Sequence, residues 1–175
     1  MSMLRNVDAF EVLAPVSEAY AHLPVAEAFD WSDVAAELGP GEWYLVVFRS
    51  MRRAGCDEAR LSDMDERAHL EAASAPGFVF YYKGPLSTDR TCLSFCIWTS
   101  RVEARAAAGR PHHAEAAGLV GAMYERYTLE FLRVQRDADG PLRFEQYDPP
   151  VAPPVHAPLA APPVPTDLSP APLSL

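Results

Sequence analysis

Between Gly41 and Asp137 the chain alternates strand-like and helix-like segments in the order β-α-β-β-α-β, an order that few folds accommodate. The first strand reads Glu42-Trp43-Tyr44-Leu45-Val46-Val47-Phe48-Arg49, and a helical stretch follows from about Asp57 to Ser74. Two strands come next, Phe78–Tyr82 and Thr91–Trp98, and a second helical region leads into a fourth strand, Tyr127–Val134. Such strands close into one antiparallel sheet as a split βαβ, or ferredoxin-like, unit. The expected fold class is therefore α+β. It divides into an acidic N-terminal arm over residues 1–40, a ferredoxin-like domain over 41–148 and a Pro/Ala-rich tail over 149–175.

Local signals set the boundaries. Leu61, Met64, Ala68, Ala72 and Ala75 follow the helical period, with Ser62 or an earlier residue as the cap and Pro76-Gly77 as the end. Ser100 and Glu103 form a capping box directly after the third strand. Gly109-Arg110-Pro111 interrupts that helix, and Pro111 suits the first turn of a new one. The rows His112, Ala116, Leu119, Met123 and His113, Ala117, Val120, Tyr124 predict a broad buried face, with Gly118 and Gly121 marking close backbone packing. In the arm, Asp33–Leu38 reads as a short helix with Asp30 or Ser32 as N-cap and Gly39-Pro40 as a stop. Phe29 and Trp31 beside it are large enough to staple the arm onto the domain.

Charge excludes some partners. Of the formal net charge of −9, the arm holds Asp8, Glu11, Glu18, Glu27, Asp30, Asp33 and Glu37 against Arg5 alone, whereas 41–148 is close to balance. That surface repels phosphate backbones, so no nucleic-acid partner is expected, and the arm's acids read as a solvated face. No apolar run approaches the ~18 residues of a membrane span, and the N-terminus lacks the basic-then-apolar layout of a secretory signal. Cys56, Cys92 and Cys96 are odd in number. Cys92 and Cys96 stand about 13 Å apart along one strand, beyond disulfide reach. A reducing, cytoplasmic compartment is expected, with the thiols as core residues and no metal, since no Cys/His set has ligand spacing. From Pro149 onward the tail holds ten of the seventeen prolines, so it is expected to be extended and disordered; its Pro150-Val151-Ala152-Pro153 fits a PxxP pattern without basic flanks.

The strands are apolar on both faces. Leu93, Phe95 and Ile97 make a face suited to helix cover, while Cys92, Ser94, Cys96 and Trp98 point the other way. Strand two offers Phe78, Phe80 and Tyr82 against Val79 and Tyr81; strand one offers Trp43, Leu45 and Val47 against Tyr44, Val46 and Phe48. Two helical regions cannot cover both faces, so a homodimer packed sheet against sheet is expected.

The run Cys92-Leu93-Ser94-Phe95-Cys96-Ile97-Trp98-Thr99-Ser100-Arg101-Val102-Glu103-Ala104, a strand ending in Trp before a capped helix, resembles the antibiotic-biosynthesis-monooxygenase-like group of dimeric α+β-barrel proteins. His112-His113 and Met123–Glu130 fit the same pattern. More narrowly, Trp43–Ser50 and Asp65-Glu66-Arg67-Ala68-His69 are similar to a fungal-type family of uncharacterised proteins with that core; the likeness covers roughly residues 28–136. The resemblance implies a dimeric α+β barrel and admits oxygenases, haem degraders, cyclases and proteins without known chemistry. The haem degraders carry an Asn on strand one, a Trp in the helix after strand three and a His on the next helix. Here Arg49 and Ser50 stand without Asn and Arg101–Ala107 lacks Trp, leaving only His112 or His113, so no haem or other cofactor is expected.

Candidate catalytic residues are His113, placed on an apolar helical row where desolvation would keep it neutral, and His69, four residues after Asp65 on one helix face. Arg49 could hold an anionic group bidentately, and Tyr82 and Trp98 could line a pocket between sheet and helices. Two functions follow as expectations. One is a cofactor-independent monooxygenase or cyclase acting on a small aromatic or polyketide-like ligand; the other is a non-catalytic dimeric module that binds a ligand or a protein.

Overall fold

The computed structural model of the protein describes residues 9–153. The arm forms a 3₁₀ turn at Tyr20–His22 and two short helices, α1 (Val25–Ala28) and α2 (Ser32–Glu37). The domain continues as β1 (Gly41–Arg52), α3 (Glu58–Ala73), β2 (Phe78–Tyr82), β3 (Thr91–Trp98), α4 (Arg101–Ala108), α5 (Pro111–Met123), β4 (Tyr124–Arg136) and β5 (Arg143–Val151). The strands form one antiparallel sheet in the order β2-β3-β1-β4-β5. Its first four strands have the ferredoxin-like arrangement, and β5 adds an edge.

The helix boundaries follow the local chemistry. Asp57 caps α3 by accepting the Arg60 N–H at 3.0 Å, and Ser100 caps α4 by accepting from Glu103. Pro111 opens α5. Gly77 follows α3 at φ +77°, and a Cβ there would strike the Glu103 carboxylate, so only glycine serves. In the arm the N-cap position belongs to Trp31, not to Asp30 or Ser32, but Asp30 still accepts the Ser32 N–H at 2.9 Å.

The two faces are covered in the opposite sense to the expectation. Ala72 and Ala75, at the C-terminal end of α3, and Ala104 and Ala107 of α4 bury Tyr44, Cys96 and Trp98. The Leu93–Phe95–Ile97 face, with Leu45 and Val47, is covered by the arm through Phe10, Leu13, Tyr20, Val25, Phe29, Trp31, Val34 and Leu38. Handed crossovers decide which face receives helices, and a strand apolar on both sides carries no mark of it. Phe29 and Trp31 are the expected staples: Phe29 meets Phe95 at 5.4 Å and Tyr82 at 4.9 Å, and Trp31 meets Phe95 at 5.6 Å. The arm's described acids, Glu11, Glu18, Glu27, Asp30, Asp33 and Glu37, are all exposed. The arm therefore does for this face what a second copy was expected to do, and a bare face no longer argues for a sheet-to-sheet homodimer.

Four further readings change. A bulge between Phe78 and Phe80 shifts the β2 register, so Phe78 and Tyr81 lie on the helix side and Val79, Phe80 and Tyr82 on the arm side. On α5 only Val120 and Met123 are buried, while His112 and Ala117 are exposed, because this helix packs mainly on α3 rather than under a second layer. Nothing approaches the position of a Gly118 Cβ. The boundary expected at Pro149 falls inside β5, whose last residues Pro149–Val151 include the Val151↔Leu129 pairing; an edge strand tolerates proline. The rest of the tail, with the seven prolines beyond Pro153 and the disorder expected of it, lies outside the described residues.

Candidate functional site

On the arm side of the sheet, where β1 ends and β3 and β4 begin, a cleft of about 530 Å³ lies beneath Ala21–Pro24. Its floor is set by strand register. Met51 pairs with Thr91 on one side and Arg126 on the other; two residues along, Arg49 pairs with Leu93 and Thr128. Alternation puts these residues, with Glu130, on one face. Arg49 ties the roof to the floor, donating to the Ala21 carbonyl at 2.8 Å and to the Glu130 carboxylate.

His22, on the wall of this cleft, is paired with Asp89 across 67 residues, Nε2 to Oδ2 at 2.8 Å, and lies 3.4 Å from the Thr91 hydroxyl. Asp89 belongs to the β2–β3 turn and also accepts from the Ser87 hydroxyl at 2.6 Å, the Thr91 hydroxyl at 2.5 Å and the Thr91 N–H at 3.1 Å. These hydrogen bonds, Ser87 foremost, hold its carboxyl far below the usual carboxylate range, so it stays ionised beside the imidazole. The turn is stiffened by Arg90, at φ +67°, which donates to the Arg52 carbonyl at 2.6 Å and to Glu125 at 2.7 Å. Arg126, also on the cleft, is exposed, and its guanidinium meets only the Met51 sulfur (3.3 Å) among the described residues. An oriented imidazole, hydroxyls and an unmatched guanidinium around one cleft can bind a small organic anion and move a proton.

The residues expected from sequence are not brought together. The His113 ring faces Glu71 of α3 at 3.0 Å, not the sheet, and Glu71 also accepts the N–H groups of His112 (3.3 Å) and His113 (3.1 Å). Glu71 thus caps α5 from a neighbouring helix. Burial works against its charge, but the His113 ring and these N–H groups prevail and its carboxyl ends below the ordinary range. The expected His69–Asp65 pair does not form. Asp65 takes the Tyr81 hydroxyl (2.8 Å) and Lys83 (2.6 Å), because the β2 bulge brings Tyr81 to the helix side, and the His69 ring lies against Tyr81 at 5.0 Å. Burial, with Asp65 adding to it, raises the Tyr81 phenol well above its usual value, and burial pushes Tyr124 up to about 12. Neither phenol is therefore a base near neutral pH.

Arg49 lies on the cleft as an anion holder would, but its fork is already engaged by Glu130 and Ala21. Tyr82 stacks on Phe95 at 5.2 Å and Trp98 is buried with its indole N–H 3.1 Å from the Cys96 sulfur, so the two stand on opposite faces and neither lines the cleft. Burial pushes the Cys96 thiol up to about 12, in keeping with a core role. His22, Asp89 and Arg126 escaped the sequence reading. Only the Ser87-Thr88-Asp89-Arg90-Thr91 turn carried a local signal, as a run of side chains that bond their own backbone.

Comparison with known proteins places the chain among relatives. It is 30% identical over 131 residues to the UPF0643 protein PB2B2.08 of Schizosaccharomyces pombe, a match spanning 65% of this chain and 60% of that protein's length. Among solved structures, the cofactor-independent oxygenase SnoaB of Streptomyces nogalater shares 19% identity at a TM-score of 0.42, over 55% of this chain and 94% of its own. Rv0793 of Mycobacterium tuberculosis shares 18% at 0.47, over 56% and 99%. A dimeric ferredoxin-like protein of unknown function from Thermobifida fusca shares 11% at 0.44, over 57% and 95%. At these scores nothing about the site follows from the structural likenesses. The sequence model of one family, however, spans residues 3–146, and this chain belongs to that family, the PB2B2.08-like proteins.

Proposed function

We propose that this protein binds a small organic molecule in the arm–sheet cleft and acts on it without a metal or organic cofactor, with His22 as general base. The observation that carries the reading is the 2.8 Å His22–Asp89 pair on the wall of a cleft of about 530 Å³, a volume typical of small-molecule sites. An ionised Asp89 holds the imidazole in one tautomer and stabilises the imidazolium formed when His22 takes a proton. Proton removal from an enolisable or phenolic compound, ahead of reaction with dioxygen or of ring closure, is the chemistry this supports, in line with the oxygenase-like resemblance. Three free thiols, Cys56, Cys92 and Cys96, support a cytoplasmic setting. Among the described residues no helix is long and apolar enough to cross a membrane. Self-association enters the proposal only through a surface other than the arm-covered face; half-buried Val46, Phe48 and Phe131 and exposed Tyr147 and Val151 are apolar groups left for it.

The test begins with a thermal-shift screen against aromatic metabolites, followed by turnover of the compound found. His22→Gln is expected to lower turnover by roughly 10²–10⁴-fold while the fold and ligand binding persist. Undiminished turnover in a folded His22→Gln protein removes the base from the mechanism. A second reading, a non-catalytic ligand-binding module, is favoured by one observation: the His22 side chain is 54% exposed, more open than most catalytic bases. Binding without turnover of any bound compound selects that reading.

A further inference from the structure

We infer that the cleft takes an organic monocarboxylate about 10 Å long, its carboxylate on Arg126 and its far end at His22, an inference that rests on the cleft being the working site. The length comes from the register. Thr91, Met51 and Arg126 form one row across three adjacent strands on the arm side. Two inter-strand spacings separate its ends by about 10 Å. His22 stands at the Thr91 end, 3.4 Å from that hydroxyl. The cleft is therefore bipolar: imidazole at one wall, guanidinium at the other, with Met51 on the floor and Leu23 and Pro24 on the roof as apolar surface between them.

The charge follows from pairing. The charged groups of the cleft are Arg49, Arg126, Glu130 and His22, with Asp89 behind the histidine. Arg49 is matched by Glu130, and Asp89 is hydrogen-bonded to the His22 ring. Arg126 has no carboxylate among the described residues, although the chain as a whole carries more acids than bases. Arg126 is thus the guanidinium of the cleft left without a carboxylate, which favours a ligand with one anionic group; a second negative charge would find no further unmatched cation among the described residues of the cleft and would approach Asp89. A guanidinium fork matches the plane of a carboxylate, and Thr128, next on that face of β4, offers a hydroxyl with no partner among the described residues.

The experiment titrates the full chain at neutral pH with 6-hydroxy-2-naphthoate, neutral 2-naphthol and dianionic 2-naphthyl phosphate, followed by ligand fluorescence. The hydroxynaphthoate is expected to bind roughly tenfold or more tighter than the other two. Arg126→Gln should erase that advantage and leave 2-naphthol binding unchanged, whereas Arg60→Gln, at an exposed position of α3 away from the cleft, should change neither. Equal affinity for acid and naphthol, tightest binding of the phosphate, or indifference to Arg126→Gln overturns the inference. Its failure is separable from failure of the base. An Arg126-dependent preference for the acid, together with turnover indifferent to His22→Gln, upholds the anion site and removes the base. No preference for the acid, together with turnover lost in His22→Gln, does the reverse.

Discussion

Asp148 joins three elements through one carboxylate. It accepts two hydrogen bonds from Arg101 of α4, at 2.7 and 2.8 Å, and one from the Tyr44 hydroxyl of β1 at 2.9 Å. Beside it Tyr147 meets Tyr44 edge-on at 5.4 Å and lies under the Arg133 guanidinium at 4.6 Å. Arg101 in the first place, then Tyr44, holds the Asp148 carboxyl below its ordinary value, and burial followed by the Asp148 contact pushes the Tyr44 phenol up to about 12. A carboxyl lowered in the folded state adds stability above its unfolded value near pH 4 and loses it as pH falls through the folded value. Asp148→Asn should therefore lower the melting temperature by several degrees at pH 7, and the gap should close towards pH 3. An equal gap at both pH values, in thermal melts of the two proteins, would count against this linkage.

At the scale of elements, α3 and α5 are joined by a borrowed cap. Glu71 supplies to the first turn of α5 the acceptor that Arg110, in the N-cap position, does not provide. His113 completes this junction with its ring. His113→Ala should accordingly lower the melting temperature while leaving hydroxynaphthoate binding in the cleft unchanged, and Glu71→Gln should do the same. Lost binding in a folded His113→Ala protein would return His113 to the site. The fifth strand belongs to this scale too. Phe144 of β5 meets Trp31 at 5.0 Å, so the strand that extends the sheet also holds the arm.

Across the whole molecule the arm is the second layer of the core. Leu45, Val47, Leu93 and Phe95 are completely buried beneath it. Each such side chain contributes about 1.5–3 kcal/mol on burial, so together they approach the ~5–15 kcal/mol net stability of a domain. A chain beginning at Gly41 should self-associate or precipitate, where the full chain stays dispersed in light scattering. A milder probe is Phe29→Ala, which removes the ring between Tyr20, Trp31, Tyr82 and Phe95 and should cost about 3–5 kcal/mol in urea unfolding. A well-behaved monomeric chain from Gly41, or a loss below about 1 kcal/mol in Phe29→Ala, would mean that the arm only rests on the sheet.

The element order from β1 to β4, the Ser100 cap and the Pro111 start were legible in the sequence because each depends on residues a few positions apart, and the stapling by Phe29 and Trp31 because two large apolar groups beside one short helix call for burial. Apolar periodicity, capping and proline geometry act within one or two turns of chain. Which face the helices took was not legible, since both faces of β1 and β3 are apolar and the choice belongs to the handedness of the crossovers. The β2 bulge, which sends Tyr81 and Tyr82 to opposite sides, has no mark in an alternating aromatic run. The site was the least legible part. His22 and Asp89 lie 67 residues apart, and Arg126 stands out only because nearby Arg49, Arg52 and Arg90 each meet a carboxylate. Local interactions decided the elements of this protein; the tertiary structure alone decided which of its charges were matched, and so where a ligand could bind.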